Sequence, residues 1–427
     1  MNKVYKENIF FLLFLFLPIS IIAGSTVSLV NIIIIDLFFI IVLILERNFH
    51  FTKNFAFKSL FFLYLYLIFN SFISQNYEIG LARNFGFIRI IILFTFINYF
   101  FFYYDKEKKL FDFWTILLII FIIDVFTEYF FGSNLLGWGA SEIDGVPQPH
   151  GRRIMSFFKD EPIAGAFLAG LIFLMFGHLL KKFSKKKYYA LAFILVAFIG
   201  IIFTGERSNT IKVFLGIFIF FLFFDFIKFK IKMIIFLLFI FIFGLILHKS
   251  EYLNSRYVGQ ILKRVNTETG VKYTAIENFK EYKEQNKYFT LYKSGYSVFK
   301  NYPFFGVGNK NYRVETCENR VNQIKFKYKC TTHPHQIYFE LLSEHGLIGT
   351  IIILGILFIL MFKILKTIFL TKNYLQIGAF IFVLINFTPL LPSGSFFSDF
   401  NTTMFWINFS IMFACDKKTN IFEKKRI

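Results

Sequence analysis

The 427-residue chain has no phosphate-binding P-loop, no serine-centred nucleophile elbow and no internal repeat. No carboxylate cluster with metal-ligand spacing occurs in the hydrophilic gaps assigned below to the outer side. These absences count against an ATPase, a membrane peptidase and a repeat-built transporter. The apolar blocks also lack the alternation and roughly ten-residue period of an outer-membrane barrel. The first block, Ile9 to Ala23, follows Lys3 and Lys6 as a signal peptide would. It has no small-x-small cleavage site, and a second apolar block follows almost at once, so it reads as a retained helix.

What is present is apolar sequence in long runs. Hydrophobic residues make up 56% of the chain and the mean hydropathy is +0.59, so the natural solvent for most of it is lipid. In a bilayer every backbone N–H and C=O must be satisfied internally, which turns apolar runs of about 17–25 residues into helices. The 68 phenylalanines, with abundant Ile, Lys and Asn, fit an AT-rich coding genome and carry no functional message. The net charge of +20 reports topology and does not point to nucleic acid. Lys and Arg crowd alternate gaps: the N-tail, Arg47 to Lys58, Lys106 to Lys109, Lys181 to Lys187, Lys228 to Lys232, Lys363 to Lys372, and Lys417 to Arg426. The gaps between them are poor in Lys and Arg: Gly24 to Ser28, Ser74 to Asn84, the stretch after Phe131, Thr204 to Asn209, and Pro392 to Asn401. Placing every basic gap in the cytoplasm gives an all-α polytopic inner-membrane protein with about twelve transmembrane helices and both termini cytoplasmic.

Four regions follow from this threading: helices one to five in 1–130, central helices with outer motif loops in 131–248, a large periplasmic loop in 249–336, and C-terminal helices with a basic tail in 337–427. The large loop is basic yet outside, which is allowed because the charge rule governs short loops. Within it Leu291, Tyr292, Tyr296, Val298 and Phe299, interleaved with Lys293 and Lys300, suggest an interfacial helix. Surplus positive charge there suits a phosphate-bearing lipid substrate; a basic loop resting on anionic headgroups is the plainer reading. Cys317 and Cys330 both fall in this loop, and an oxidising compartment would join them.

Polar residues at membrane depth are costly and need a reason. Four clusters stand out on the outer side. The first holds Arg152, Arg153, Lys159, Asp160 and Glu161; beyond Pro162, small residues Ala164, Gly165, Ala166, Ala169 and Gly170 permit close helix approach. The second is TGERSNT, with Glu206 and Arg207. The third is FFGVGNKNYR, with Lys310 and Arg313; its Gly306-Val307-Gly308 reads as a tight turn after Pro303 and not as a dinucleotide fingerprint. The fourth is THPHQIYFELLSEHGLIG, with His333, His335 and His345. Pro334 favours a helix start that sets His335 at a helix N-terminus, where free N–H groups depress a histidine's pKa. A neutral imidazole there can take a proton from a sugar hydroxyl; the plainer alternative is an interfacial histidine bonded to backbone. Glu340 and Glu344 share a face and point to a polar interior seam. Arg207 and Arg153 can fork onto phosphate oxygens and neutralise a diphosphate leaving group without a metal. Asp36, Arg89, Asp124 and Glu128 lie in or near apolar runs, where pairing between helices is their default role.

At these clusters the sequence resembles the O-antigen ligase and O-antigen polymerase family of envelope glycosyltransferases, in register over roughly Phe131 to Ile352. FGSNLLGWG and SFFKDEPIAGAFL look like the polymerase-type central segment, and TGERSNT is similar to the family's arginine-bearing helix-end turn. NYPFFGVGNKNYR followed by HPHQIYFELLSEHGLIG is the most specific part. The resemblance implies a GT-C-like membrane fold and an inverting, metal-independent, cofactor-free transferase of lipopolysaccharide biosynthesis. It implies catalytic roles for His335 and Arg207, with substrate contacts from Arg153, Glu161, Glu206, Lys310, Arg313 and His333. The donor would be a glycan on undecaprenyl diphosphate, and the acceptor a second glycan or lipid A-core. Membrane lipids and a chain-length regulator protein are further expected partners, and the active site would face the periplasm. Family members often carry Arg or His where this chain has Tyr288; Lys287 and Lys293 are the nearby cations, and that role stays unassigned.

Within the family the GNKNYR and KDEP portions lean toward polymerase over ligase. From a different class, a flippase of the same lipid-linked sugars would need paired halves and a polar midplane pathway, whereas the polar residues here crowd to one face.

Overall fold

In the computed structural model, the structure describes residues 3–139, 142–143, 146–147, 153–159, 161–223, 227–260, 263–265, 272–274, 283 and 286–423. Arg152, Asp160 and the end of the basic tail lie outside the described residues. The helices are, in chain order, α1 (Lys3–Leu15), α2 (Leu17–Ile22), α3 (Ser25–Glu46), α4 (Phe55–Phe72), α5 (Tyr77–Phe85), α6 (Ile88–Tyr103) and α7 (Glu107–Phe131), followed by α8 (Ala164–Lys182), α9 (Tyr188–Phe203), α10 (Arg207–Leu222) and α11 (Phe229–Lys249). The outer segment adds α12 (Glu251–Asn254), α13 (Lys287–Asn301) and α14 (Arg320–Phe326), and the chain ends with α15 (Ile337–Thr371), α16 (Tyr374–Ile385) and α17 (Asp399–Ala414). Two short antiparallel strand pairs, Glu142–Ile143 with Val146–Pro147 and Lys263–Val265 with Lys272–Thr274, interrupt an otherwise helical chain.

Among the described residues eight helices are long and apolar enough to cross a membrane. They are Val4–Ile22, Ser25–Glu46, Phe55–Phe72, Tyr77–Tyr103, Glu107–Phe131, Ala164–Lys182, Phe229–Lys249 and Ile337–Thr371. The shorter apolar helices α9 and α16, and the 16-residue α10 and α17, occupy the remaining places where the hydropathy pattern calls for a helix.

The small residues of α8 make it the centre of the bundle. Asn408 on α17 donates to the Gly170 carbonyl at 2.8 Å, and a Cβ on Gly170 would meet Met404 at 2.0 Å. Two turns further along α8, a Cβ on Gly177 would sit 2.3 Å from the Tyr374 carbonyl oxygen, so α16 crosses in near backbone contact. By contrast α11 is peripheral and presents Leu237, Phe241 and Leu245 outward.

The start of α15 is broken, which sequence hydropathy does not reveal. Gly346 has φ 63° and ψ −168°, splitting a short segment Ile337 to His345 from the long apolar helix. A break strands carbonyls on one side and N–H groups on the other. The PFFGVG loop takes up both: Val307 and Gly308 N–H donate to the Ser343 and Glu344 carbonyls at 3.0 and 2.9 Å. In return Leu347 and Ile348 N–H donate to the Pro303 and Phe304 carbonyls at 2.7 and 3.1 Å. Gly306 and Gly308 have φ 70° and 100°, and a Cβ on Gly306 would lie 2.4 Å from the Glu344 backbone. The turn expected after Pro303 therefore locks the outer segment onto α15. The disulfide Cys317–Cys330, with Cα atoms 4.7 Å apart, ties the same segment together.

Candidate active site

The ends of several helices converge on a cavity of about 650 Å³. Its wall includes Arg153 ahead of α8, Glu206 and Arg207 at the start of α10, Arg256 after α12, Lys287 and Tyr288 on α13, and His335 ahead of α15. A second cavity of about 590 Å³ shares Arg153, Glu206 and His335 with the first and adds Glu161 and Lys310. Sequence clusters one, two and four thus meet at one place, and Lys310 of the third lies next door.

Two of the three arginines are held by backbone. Arg256 Nε donates to the Gly205 carbonyl at 3.1 Å, and Arg207 donates to the Arg256 carbonyl at 3.3 Å. The Arg153 Nε atom is buried without a hydrogen-bond partner. None of Arg153, Arg207 and Arg256 forms an ion pair among the described residues. Burial, and after it the Arg153 guanidinium, lowers the Arg256 pKa from its ordinary value. Three guanidiniums that share one cavity, with Glu206 the nearby carboxyl, leave a surplus of positive charge suited to a polyanion.

Glu206 stands at the junction of the two cavities. It accepts from the Gly165 N–H at 2.6 Å and from Asn209 at 2.6 Å, and the tight Gly165 approach is what brings α8 against this turn. Burial pushes its carboxyl up to about 7, against the lowering pull of those hydrogen bonds and of Arg153.

His335 sits two residues before α15, with φ 58° in the left-handed region that His tolerates better than most residues. Gln336, not His335, caps the helix, accepting from Tyr338 and Phe339 N–H at 2.8 and 3.1 Å. The His335 carbonyl accepts from Ser393 N–H at 2.9 Å, and the His333 ring lies 4.0 Å away. Burial, then the His333 and Lys287 charges, lowers the His335 pKa to about 4. Burial is the leading cause of this lowering, where the sequence alone points to a helix N-terminus. His333 is buried; one ring nitrogen meets the Ser393 carbonyl at 3.3 Å and the other the Thr332 hydroxyl at 3.0 Å. A carbonyl only accepts, so the Nε2 facing it carries the proton. Burial also lowers the His333 pKa to about 4.

The remaining expectations divide. Lys310 donates to Ser395 at 2.5 Å, and the Ser395 hydroxyl donates in turn to buried Glu340 at 2.6 Å, so the seam is polar as expected. Arg313 is exposed and lines neither cavity. Asp124 and Glu128 clamp the loop before α8, accepting from Ser156 Oγ at 2.5 Å and Ser156 N–H at 2.6 Å. Arg89 pairs with Asp399 at 2.8 Å, whereas buried Asp36 has no hydrogen-bond partner. Around Tyr288, Lys287 lines the cavity and Lys293 is exposed. Arg256 was missed because it is one cation in a stretch crowded with them; its distance from the cavity motifs along the chain gave no signal.

Residues 191–354 match the family model described as O-antigen ligase. This bears out the resemblance: over that segment, which carries Arg207, Arg256, Lys310 and His335, the chain is similar to the O-antigen ligase and polymerase family. No curated protein matches the chain. The apolar helices describe a multi-pass membrane protein, and the family match makes its segment 191–354 similar to O-antigen ligases.

Proposed function

We propose that the protein is an inverting polymerase that transfers a glycan from undecaprenyl diphosphate to the hydroxyl of a second lipid-linked glycan at the periplasmic face of the inner membrane. The observation that carries this reading is Arg153, Arg207 and Arg256, without an ion pair among the described residues, around one cavity with His335 on its wall. The acceptor hydroxyl donates a hydrogen bond to the His335 ring and attacks the donor C1 opposite the diphosphate. As the C1–oxygen bond breaks, the guanidiniums take up charge developing on the leaving diphosphate. The hydroxyl proton passes to His335, whose basicity rises once a dianion shares the cavity, and from there to solvent or the departing diphosphate. No metal is needed for this balance of charge.

The orientation rests on two features of opposite ends. The basic gaps gather at the end away from the cavity, as cytoplasmic loops do, and the Cys317–Cys330 disulfide lies at the cavity end, as suits an oxidising compartment. The family match does not separate ligase from polymerase, and the KDEP and GNKNYR portions favour polymerase.

Deleting the gene and resolving surface polysaccharide on a gel separates them. Loss of a polymerase leaves core bearing one repeat unit; loss of a ligase leaves bare core and accumulated lipid-linked glycan. Complementation with His335→Ala or Arg207→Ala is expected to restore protein but almost no product, a drop on the order of a thousandfold or more. Full product from the Arg207→Ala variant would end this reading.

A further inference from the structure

A third cavity, of about 520 Å³, lies beside the two already described and carries none of the proposed transfer chemistry. Its wall is formed by the α2–α3 turn, the loop after α7, the segment ahead of α8 and the first turns of α17. It joins the middle cavity through Ser25, Glu161, Ile163, Asp399 and Phe400, which line both. It therefore communicates with the space in which His335 stands.

Its lining is amphiphilic. One side is apolar, with Ile19, Ile22, Leu29 and Ile32; the other holds Trp138, Lys159, Glu161, Arg89 and Asp399. Trp138 is half-buried, with Lys159 Nζ 5.8 Å from its ring centroid, a cation–π contact that steadies the indole. Asp399 accepts from Arg83 and Arg89 through the same oxygen, Oδ1, at 2.5 and 2.8 Å, so its second oxygen still has room for a hydroxyl. Ser28 lines the cavity, is 6% exposed as a residue, and has a hydroxyl without a hydrogen-bond partner among the described residues. A buried unpaired hydroxyl is costly unless a ligand completes it.

We infer that this cavity is a glycan-binding subsite that receives the sugar end of the lipid-linked acceptor, with Trp138 as its stacking platform and Asp399, Arg89 and Ser28 as hydrogen-bonding groups. An aromatic face beside a carboxylate and a guanidinium suits a sugar ring, which offers an apolar C–H face and an edge of hydroxyls that both donate and accept. The apolar wall matches the point where such a glycan leaves its lipid anchor. A diphosphate fits poorly here, since Asp399 already occupies the two guanidiniums. Every residue that lines the subsite lies outside 191–354, so acceptor choice is built from parts of the chain other than the matched segment. This inference rests on the transferase reading for the identity of the glycan.

The test uses full-length protein in lipid nanodiscs and two probes. One is the repeat-unit oligosaccharide released from the lipid-linked intermediate of a deletion strain by mild acid; the other is inorganic diphosphate. Trp114 and Trp406 are fully buried, so the half-buried Trp138 is the tryptophan placed to report on the oligosaccharide. The oligosaccharide is expected to shift tryptophan emission saturably in the wild-type protein. By calorimetry its affinity should fall about tenfold in Trp138→Ala and partly recover in Trp138→Phe, while diphosphate binding stays unchanged and certifies the fold. Unchanged oligosaccharide affinity in Trp138→Ala, or no binding to the wild type, overturns the subsite. Weakened diphosphate binding in Trp138→Ala, with the oligosaccharide unaffected, overturns it too by giving the cavity to the donor. The transferase reading fails separately, through diphosphate affinity that Arg207→Ala leaves intact.

Discussion

One end of the helix bundle and the first cavity at the other end treat positive charge in opposite ways, although Arg83 and Arg89 near that cavity are paired with Asp399. At one end cations are neutralised by nearby carboxylates: Lys106 by Glu7 at 3.2 Å, Lys181 by Glu107 at 2.9 Å, Lys182 by Asp112 at 2.6 Å, and Lys6 by Glu46. At the other, Arg153, Arg207 and Arg256 line a cavity with no ion pair among the described residues. Composition alone makes both ends look basic. The difference teaches that unpaired charge, and not charge itself, marks the place where an anion from outside belongs.

That contrast is broken most severely by removing a cavity guanidinium. Arg256→Ala should reduce transfer by about ten- to a hundredfold, the range for losing one charged hydrogen-bond donor, with unchanged protein level. Arg256→Lys should restore part of the rate, since a point charge replaces a fork. Product yield on a gel, normalised to protein by blot, checks both. Normal yield from Arg256→Ala would reduce this arginine to a prop for the Gly205 turn.

What sequence revealed and what it concealed follow the same physics. Helix positions were legible because hydropathy is a local property, and the Cys317–Cys330 bridge because both cysteines sit in one hydrophilic stretch. Glu206, Arg207 and His335 were legible because each stands where a helix begins, next to sequence that would otherwise be apolar. Arg256 was not, since nothing local distinguishes it from the other cations of its segment. Lys310 and Arg313 look alike in sequence, yet Lys310 reaches Ser395 from a left-handed backbone while Arg313 points to solvent. The break at Gly346 was hidden because hydropathy continues straight through it, and only the PFFGVG loop packed against it shows why a glycine is there.

A gentler way to sharpen the comparison is to titrate the one carboxyl at the cavity junction. Glu206, pushed up to about 7 by burial, is neutral below that pH and an anion beside Arg153 above it. Raising the pH from 6 to 8 therefore lowers the net positive charge facing the diphosphate. Donor-side affinity should weaken over this range by about fivefold, the effect of one screened charge. Glu206→Gln should flatten the profile at the high-affinity level, leaving only the titration of diphosphate itself. His335, lowered to about 4 in the protein without diphosphate, contributes no step of the unliganded state in the same window. A pH series of inorganic diphosphate binding to both proteins decides this, and an identical slope in the Gln variant would assign the titration elsewhere.

The smallest effect belongs to the neutralised end. Lys181 is 61% exposed on the side-chain scale and meets Glu107 at 2.9 Å, a geometry in which water screens the attraction and side-chain ordering offsets what remains. Lys181→Ala should shift the melting temperature by about a degree or less and leave polysaccharide yield unchanged. The charge it removes is already balanced, so the neighbouring Glu107 simply returns to solvent. Should Lys181→Ala instead cost transfer as much as Arg256→Ala does, cation count rather than cation pairing would govern activity, and the distinction between the two ends would lose its meaning.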